Sequence, residues 1–272
     1  EITYQEQKIV VDVIYKFVCY TNNESKLNTD IYKNSIIEKD YLFLCCYGRA
    51  GYEALNLILL KNLFGYKHIT VFTHPDNNDL LLDFIKNNGI EHFTKSINTY
   101  QDILSGKVGF LLSIHYRYII KSNILNSFDG RAVNVHPSLL PNYKGCFSSV
   151  WAIINNEKET GITYHECVPT VDAGNILIQE KIKITDTETG YSLFHKLITL
   201  AILNLEKLFE LIENNYIGIE QKGYGSYYKR EVPYNNTVLN EWDISFKERY
   251  IRALHFPPHK PPQHLSLIHI SE

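Results

Sequence analysis

The chain has 272 residues, a formal net charge of −3, 44% hydrophobic and 21% charged residues, which are globular values for a protein able to bury one sizeable core. The weakly negative balance argues against a polyanion-binding protein. No apolar run reaches the length of a membrane span, and the N-terminus lacks the basic-then-apolar pattern of a secretion signal.

Residues 1–39 form an extension or the tail of an upstream region. Lys8 to Tyr20 is apolar and β-branched, predicting a strand or buried helix, and Thr21 to Lys39 is polar and Asn-rich, predicting a linker. Tyr41 to Cys46 reads as a buried strand, then Tyr47-Gly48-Arg49-Ala50-Gly51 as a turn, and Tyr52 to Phe64 as an apolar-periodic helix. Gly48 and Gly51 either make only that turn or let backbone approach a phosphate at the helix N-terminus, with Arg49 as the anion ligand. The five cysteines (Cys19, Cys45, Cys46, Cys146, Cys167) are odd in number and lack metal-site spacing, so reduced thiols in a cytoplasmic setting are expected, with no metal.

Lys67 to Thr73 is the second strand, Asp76 to Asn88 a helix, Gly89 to Phe93 a return to the sheet and Val108 to Ile114 a central strand. Strand and helix alternate at short spacing, which predicts an α/β fold with a doubly wound, mainly parallel Rossmann-like sheet covered on both faces. Arg131 to Val135 is a further short strand, ended by Pro137 and Pro141. Asn134 and His136 lie two apart on it, so both side chains leave the same face of the sheet. They sit at the C-terminal end of the strand, where open α/β sheets bind ligands.

Beyond it, Cys146 to Asn155 reads as a helix, Gly161 to Val168 as a strand carrying a half-buried His165, and Pro169 to Gly174 as a loop carrying Asp172. Asn175 to Ile184 is the next strand, and Thr189 to Asn214 one long helix whose apolar side is core. Gly218 to Tyr234 reads as a linker with one hairpin, followed by a short basic helix over Phe246 to Leu254 and a proline-rich run. The chain contains no methionine, so its start is expected to be missing. Leu265 to Glu272 reads like an in-frame translation of a sequencing adapter and is expected to be a non-native tail, a genuine short edge strand being the alternative.

Asn134-Val135-His136-Pro137-Ser138-Leu139-Leu140-Pro141, the Lys144-Gly145 pair, Glu159-Thr160-Gly161-Ile162-Thr163 and Asp172-Ala173-Gly174 stand in that order. The set resembles the signature of the folate-dependent formyltransferases, over roughly residues 41–212. The resemblance implies a formyltransferase fold with a catalytic domain at 40–216 and a small, truncated C-terminal appendage at 217–264. It also implies N10-formyltetrahydrofolate as co-substrate. Asn134, His136 and Asp172 become the catalytic residues, and Tyr116, Arg117, Tyr118, Ile119, Val168 and Thr170 the cofactor-binding ones. Ser138, Lys144, Gly145 and Phe256 become substrate-binding.

Formyl transfer onto an amine passes through an oxyanion, which Asn134 would face with an amide N–H. His136 would donate to the developing charge or carry the proton, while Asp172 would orient His136 or accept the amine proton itself. Arg252-Ala253-Leu254 followed by Phe256-Pro257-Pro258 resembles the C-terminal segment of sugar N-formyltransferases. The acceptor it implies is a dTDP- or UDP-linked 3- or 4-amino sugar, with a homodimer allowed. Methionyl-tRNA formyltransferase is the alternative, with tRNA then as partner although the charge disfavours nucleic acid. A non-catalytic folate-binding module or a formyltetrahydrofolate hydrolase are further ones.

Overall fold

The structure, a computed structural model, describes residues 40–75, 80–104, 107, 109–128 and 131–264. The expectations for residues 1–39, for the start of the helix at Asp76 and for Leu265 to Glu272 lie outside these residues.

Seven strands of the described chain make one sheet: β1 (Tyr41–Cys46), β2 (His68–Phe72), β3 (Glu91–Phe93), β4 (Gly109–Ile114), β5 (Ala132–His136), β7 (Glu159–Glu166) and β8 (Ile176–Lys183). Their order is β3-β2-β1-β4-β5-β7-β8. The first five run parallel, and β7 and β8 add antiparallel at the β5 edge. β1 explains why both faces are covered. Leu42, Leu44 and Cys46 enter one apolar cluster and Phe43 and Cys45 the other, and all five are fully buried. A period of two with no polar side is what a parallel strand between two helix layers requires.

Helices α1 (Gly48–Lys61), α2 (Leu80–Asn87), α3 (Gln101–Leu104) and α4 (Ser122–Leu125) fill the crossovers of the parallel half. α5 (Ser148–Ile154) is shorter than the Cys146 to Asn155 span expected, because Cys146 is tied by its N–H to the carbonyl of Tyr228. The single helix expected over Thr189 to Asn214 is two, α6 (Gly190–Leu203) and α7 (Leu205–Glu213). Asn204 separates them, its amide donating to the Leu200 carbonyl at 2.9 Å. Such a side-chain bond competes with the helix ladder.

Gly218 to Tyr234 is neither a plain linker nor a hairpin. Tyr227–Tyr228 (β9) pairs in parallel with Lys144–Gly145 (β6) in the loop after β5. α8 (Ile244–Leu254) then packs on α5 and α6, with Tyr250 and Ala253 fully buried. The Tyr250 hydroxyl donates to Pro233 O at 2.8 Å, and Arg252 donates to Glu188 O at 2.5 Å. A second short pair, β10 (Thr237–Val238) with β11 (Gln263–His264), closes the described chain. No helix of the described residues is long and apolar enough to cross a membrane.

Candidate active site

The C-terminal ends of the parallel strands β1, β4 and β5 lie together at one edge of the sheet, where antiparallel β7 runs past β5. Cys46 of β1 lies beside Ile114 of β4, Ile114 beside Val135 of β5, and Asn134 and His136 beside His165 and Thr163 of β7. The turn after β7 carries Asp172 in a left-handed conformation at φ 52°, unusual for a residue with a side chain and sustained by tertiary contacts. Its carboxylate is thereby brought under β5. Oδ2 accepts the Gly145 N–H at 2.8 Å and lies 3.5 Å from His136 Nδ1, while Oδ1 lies 3.5 Å from His165 Nε2. The side chains of His136, His165 and Asp172 are 6%, 3% and 9% exposed, so these charges act with little screening by water.

The tautomers follow from the partners. His136 Nε2–H donates to the Tyr143 carbonyl at 2.7 Å, a group that only accepts, so in the neutral ring Nδ1 carries the lone pair that faces Asp172. His165 Nδ1–H likewise donates to Glu166 O at 2.8 Å, leaving Nε2 to accept from the Asn134 amide at 3.2 Å. Burial lowers the pKa of His136 and outweighs the opposing pull of Asp172 and the Tyr143 carbonyl. Burial would raise Asp172, but the contact with His165, the positive charge that His136 and His165 can take up, and the Gly145 N–H together hold it at about 2. In the neutral tautomers neither His136 Nδ1 nor His165 Nε2 carries a proton toward the carboxylate, so the pull of both rings is felt only when a proton is gained, and the Gly145 N–H is the contact that acts at rest. The resting pair is therefore a neutral imidazole beside a carboxylate.

Gly145 is where this loop needs glycine. Its φ is +88°, and a Cβ there would stand 2.2 Å from the Tyr228 carbonyl oxygen. The approach lets β6 lie against β9 while its N–H reaches Asp172.

A family model described as "Formyl transferase" matches residues 86–202. GDP-perosamine N-formyltransferase of Brucella melitensis is 37% identical over 198 residues, which cover 71% of this chain and 76% of that one. The chain belongs to the formyl transferase family.

Among solved structures, a sugar 3-N-formyltransferase determined in the presence of dTDP and 5-N-formyl-THF is 27% identical with a TM-score of 0.69, covering 80% of either chain. An N-formyltransferase from Helicobacter canadensis, in complex with folinic acid and dTDP-3-aminofucose, is 26% identical with a TM-score of 0.67, covering 79% of this chain and 80% of that one. The chain is thus an enzyme of the formyltransferase class, and its mixed sheet is the formyltransferase fold.

The loop after β4 stands beside the end of β5. In it Tyr116 accepts the Ile97 N–H on its hydroxyl at 3.0 Å, and the Arg117 guanidinium covers the Tyr47 ring at 3.8 Å. The Arg117 N–H donates to His74 Nε2 at 3.0 Å, and its carbonyl accepts from Arg230 at 3.0 Å. Tyr118 packs on His74, Ile119 is exposed, and Val168 and Thr170 are exposed on the turn that leads to Asp172.

Phe256 lies elsewhere on the same edge. It contacts Tyr191, Phe194 and His195 of α6, and Phe194 in turn meets His115. Arg49 reaches His195 Nδ1 at 3.0 Å and pairs with Glu53 of its own helix; Gly48 to Gly51, expected as a turn ahead of a helix from Tyr52, are the first turn of α1, and that turn joins this aromatic group.

The expected substrate-facing role of Ser138 does not survive its placement. The residue is fully buried, and its hydroxyl donates to the Asn142 carbonyl at 2.7 Å, bracing the loop from inside. Gly145 meets Asp172 as described, and Lys144 is half-buried next to it. His165, expected to be an ordinary sheet histidine, bridges Asn134 to Asp172. The only hint in the sequence was its position at the end of a strand, since its partner across the sheet is 31 residues away. Among the described residues no group of three or more His, Cys, Asp or Glu is arranged to hold a metal ion.

Proposed function

We propose that this formyltransferase moves the formyl group of N10-formyltetrahydrofolate onto the amine of a nucleotide-linked amino sugar. The observation that carries the reading is the Asn134, His136, Asp172 and His165 network at the ligand-binding edge of the sheet. The Tyr116 to Ile119 loop stands beside it at the strand ends, and the Phe256 aromatic group meets His115, the residue that leads into that loop, through Phe194. We assign the folate to the loop and the nucleotide sugar to the Phe256 group.

The chemistry follows from the tautomers. The acceptor amine attacks the formyl carbon, and the carbonyl oxygen becomes an oxyanion that the Asn134 amide N–H meets. The attacking nitrogen then carries a surplus proton. His136 Nδ1 is the lone pair turned toward the site, so it accepts that proton. Asp172, 3.5 Å away, stabilises the resulting imidazolium. The same proton passes to N10 as the carbon–N10 bond breaks, which returns His136 to neutrality and releases tetrahydrofolate and the formamido sugar. Asp172 is a poor direct base because a carboxyl held at about 2 has little affinity for a proton. Its part is electrostatic.

The relatives named above act on or bind GDP- and dTDP-linked amino sugars. The test therefore gives the enzyme N10-formyltetrahydrofolate with GDP-, dTDP- and UDP-linked amino sugars and charged initiator tRNA, and follows tetrahydrofolate release. Release only with a nucleotide sugar is expected. Release with tRNA would move the assignment to the tRNA enzymes, and release without an amine would make the protein a hydrolase.

A further inference from the structure

Two residues of the proposed catalytic network have backbones in the left-handed region: Tyr143 at φ 61°, whose carbonyl holds His136, and Asp172 at φ 52°. Such conformations cost on the order of 1–3 kcal/mol and persist only where surrounding contacts over-determine them. The contacts that hold the backbone of each come from one stretch, residues 221–228, which lies in the segment that reads as a linker in the sequence. Gln221 donates from Nε2 to the carbonyls of Asp172 at 2.9 Å and Gly174 at 2.8 Å. Ser226 accepts the Tyr143 N–H on its hydroxyl at 2.8 Å and the Lys144 N–H on its carbonyl at 2.8 Å. The Tyr228 ring stacks on that of Tyr143 at 5.6 Å with the planes 9° apart, and Asn155 donates to both hydroxyls.

We propose that Gln221 and Ser226 are positioning residues for formyl transfer: Ser226 fixes the peptide of Tyr143 that orients the His136 ring, and Gln221 fixes the turn that aims Asp172. The segment after the main sheet is then part of the catalytic machinery. This rests on the roles given above to His136 and Asp172. It goes beyond them in assigning two residues, about 50 and 80 positions downstream of their targets, that touch neither substrate nor cofactor.

His136 is surrounded by Asp172, His165 and the Tyr143 carbonyl, and that carbonyl raises its proton affinity. Loosening Tyr143 should therefore shift the His136 titration downward, an effect that merely weakening the fold would not produce. The test is an NMR titration of labelled histidine in the whole protein, with His136 assigned by difference from His136→Gln. Wild type, Ser226→Ala, Ser226→Thr and Gln221→Ala are compared, and kcat and KM are measured on the same samples.

In Ser226→Ala, His136 should titrate at lower pH and kcat should fall roughly tenfold, the scale of one neutral hydrogen bond lost from the positioning of the base, with KM nearly unchanged. Ser226→Thr, which keeps the hydroxyl, should restore both. Gln221→Ala should lower kcat through Asp172 while leaving the Tyr143 hydrogen bond in place. An unchanged His136 titration and an unchanged kcat in folded Ser226→Ala would overturn the inference. A shifted titration in a protein that transfers no formyl group to any acceptor would instead overturn only the functional reading.

Discussion

Replacing Asp172 by Asn isolates the charge at the centre of the network. The Asn side chain is the same size, and its oxygen still accepts the Gly145 N–H that Asp172 now takes at 2.8 Å, so the loop should keep its path. What disappears is a carboxylate 3.5 Å from His136 Nδ1, with side chains 6% and 9% exposed. At an effective dielectric near 20, unit charges at that separation attract by about 5 kcal/mol, and by about 1 kcal/mol in bulk water. Allowing part of the loss to be recovered by relaxation and entering solvent leaves about 3–4 kcal/mol, which is about 10²–10³-fold in kcat. Because Asp172 raises the proton affinity of His136, the acid limb of the rate profile should also move to lower pH. Single-turnover formation of the formamido sugar, measured across pH beside a thermal melt, reads both effects. A folded Asp172→Asn enzyme within a factor of three of wild type, with an unmoved acid limb, would refute the proton route through His136.

Folding stability should fall in two stages on acidification. Burial lowers the folded-state pKa of His136, so the neutral form is favoured by folding, and stability present above its ordinary value near 6.5 is lost as pH drops below it. Asp172 is lowered from 3.8 to about 2, so its contribution is complete above about 4 and is lost as pH falls toward about 2. Urea midpoints from pH 8 to 3 check both stages, and a midpoint flat to pH 4 would contradict the first. Gly145→Ala places a Cβ 2.2 Å from the Tyr228 oxygen at φ +88°, so it should destabilise the fold by about 2–4 kcal/mol in chemical denaturation and separate β6 from β9. Phe256→Ala removes one ring from the group with Tyr191 and Phe194, and should raise KM for the nucleotide sugar about tenfold with kcat within twofold. Steady-state kinetics with varied acceptor would show it.

The sequence carried what local pattern can carry. The β1 boundaries at Tyr41 and Cys46 follow from an unbroken apolar run. The shared direction of Asn134 and His136 follows from the strand period, and the clustering of strand ends follows from the alternation of strands and helices. Asp172 was legible because it stands in a motif with Gly174. His165, Tyr143, Gln221 and Ser226 were not. Each matters through a partner 7 to 83 residues away, and none sits in a periodic apolar pattern that would mark it. The left-handed backbones of Tyr143 and Asp172 run against local preference and come from those distant partners. Ser138 misled for the opposite reason, because a polar residue in a signature loop suggests a ligand contact whereas its hydroxyl closes the loop on itself. Asn204 broke a helix whose apolar spacing continues on both sides of it.

The most direct test of the central claim follows the formyl carbon itself. The enzyme is given N10-formyltetrahydrofolate labelled with ¹³C in the formyl group, together with an equimolar mixture of GDP-, dTDP- and UDP-linked amino sugars and charged initiator tRNA, and the products are read by mass spectrometry and NMR. The account predicts the label in an amide on the amino group of a nucleotide sugar, lost in Asp172→Asn on the time scale of wild-type turnover. Label recovered as formate, or on the aminoacyl group of the tRNA, would contradict it.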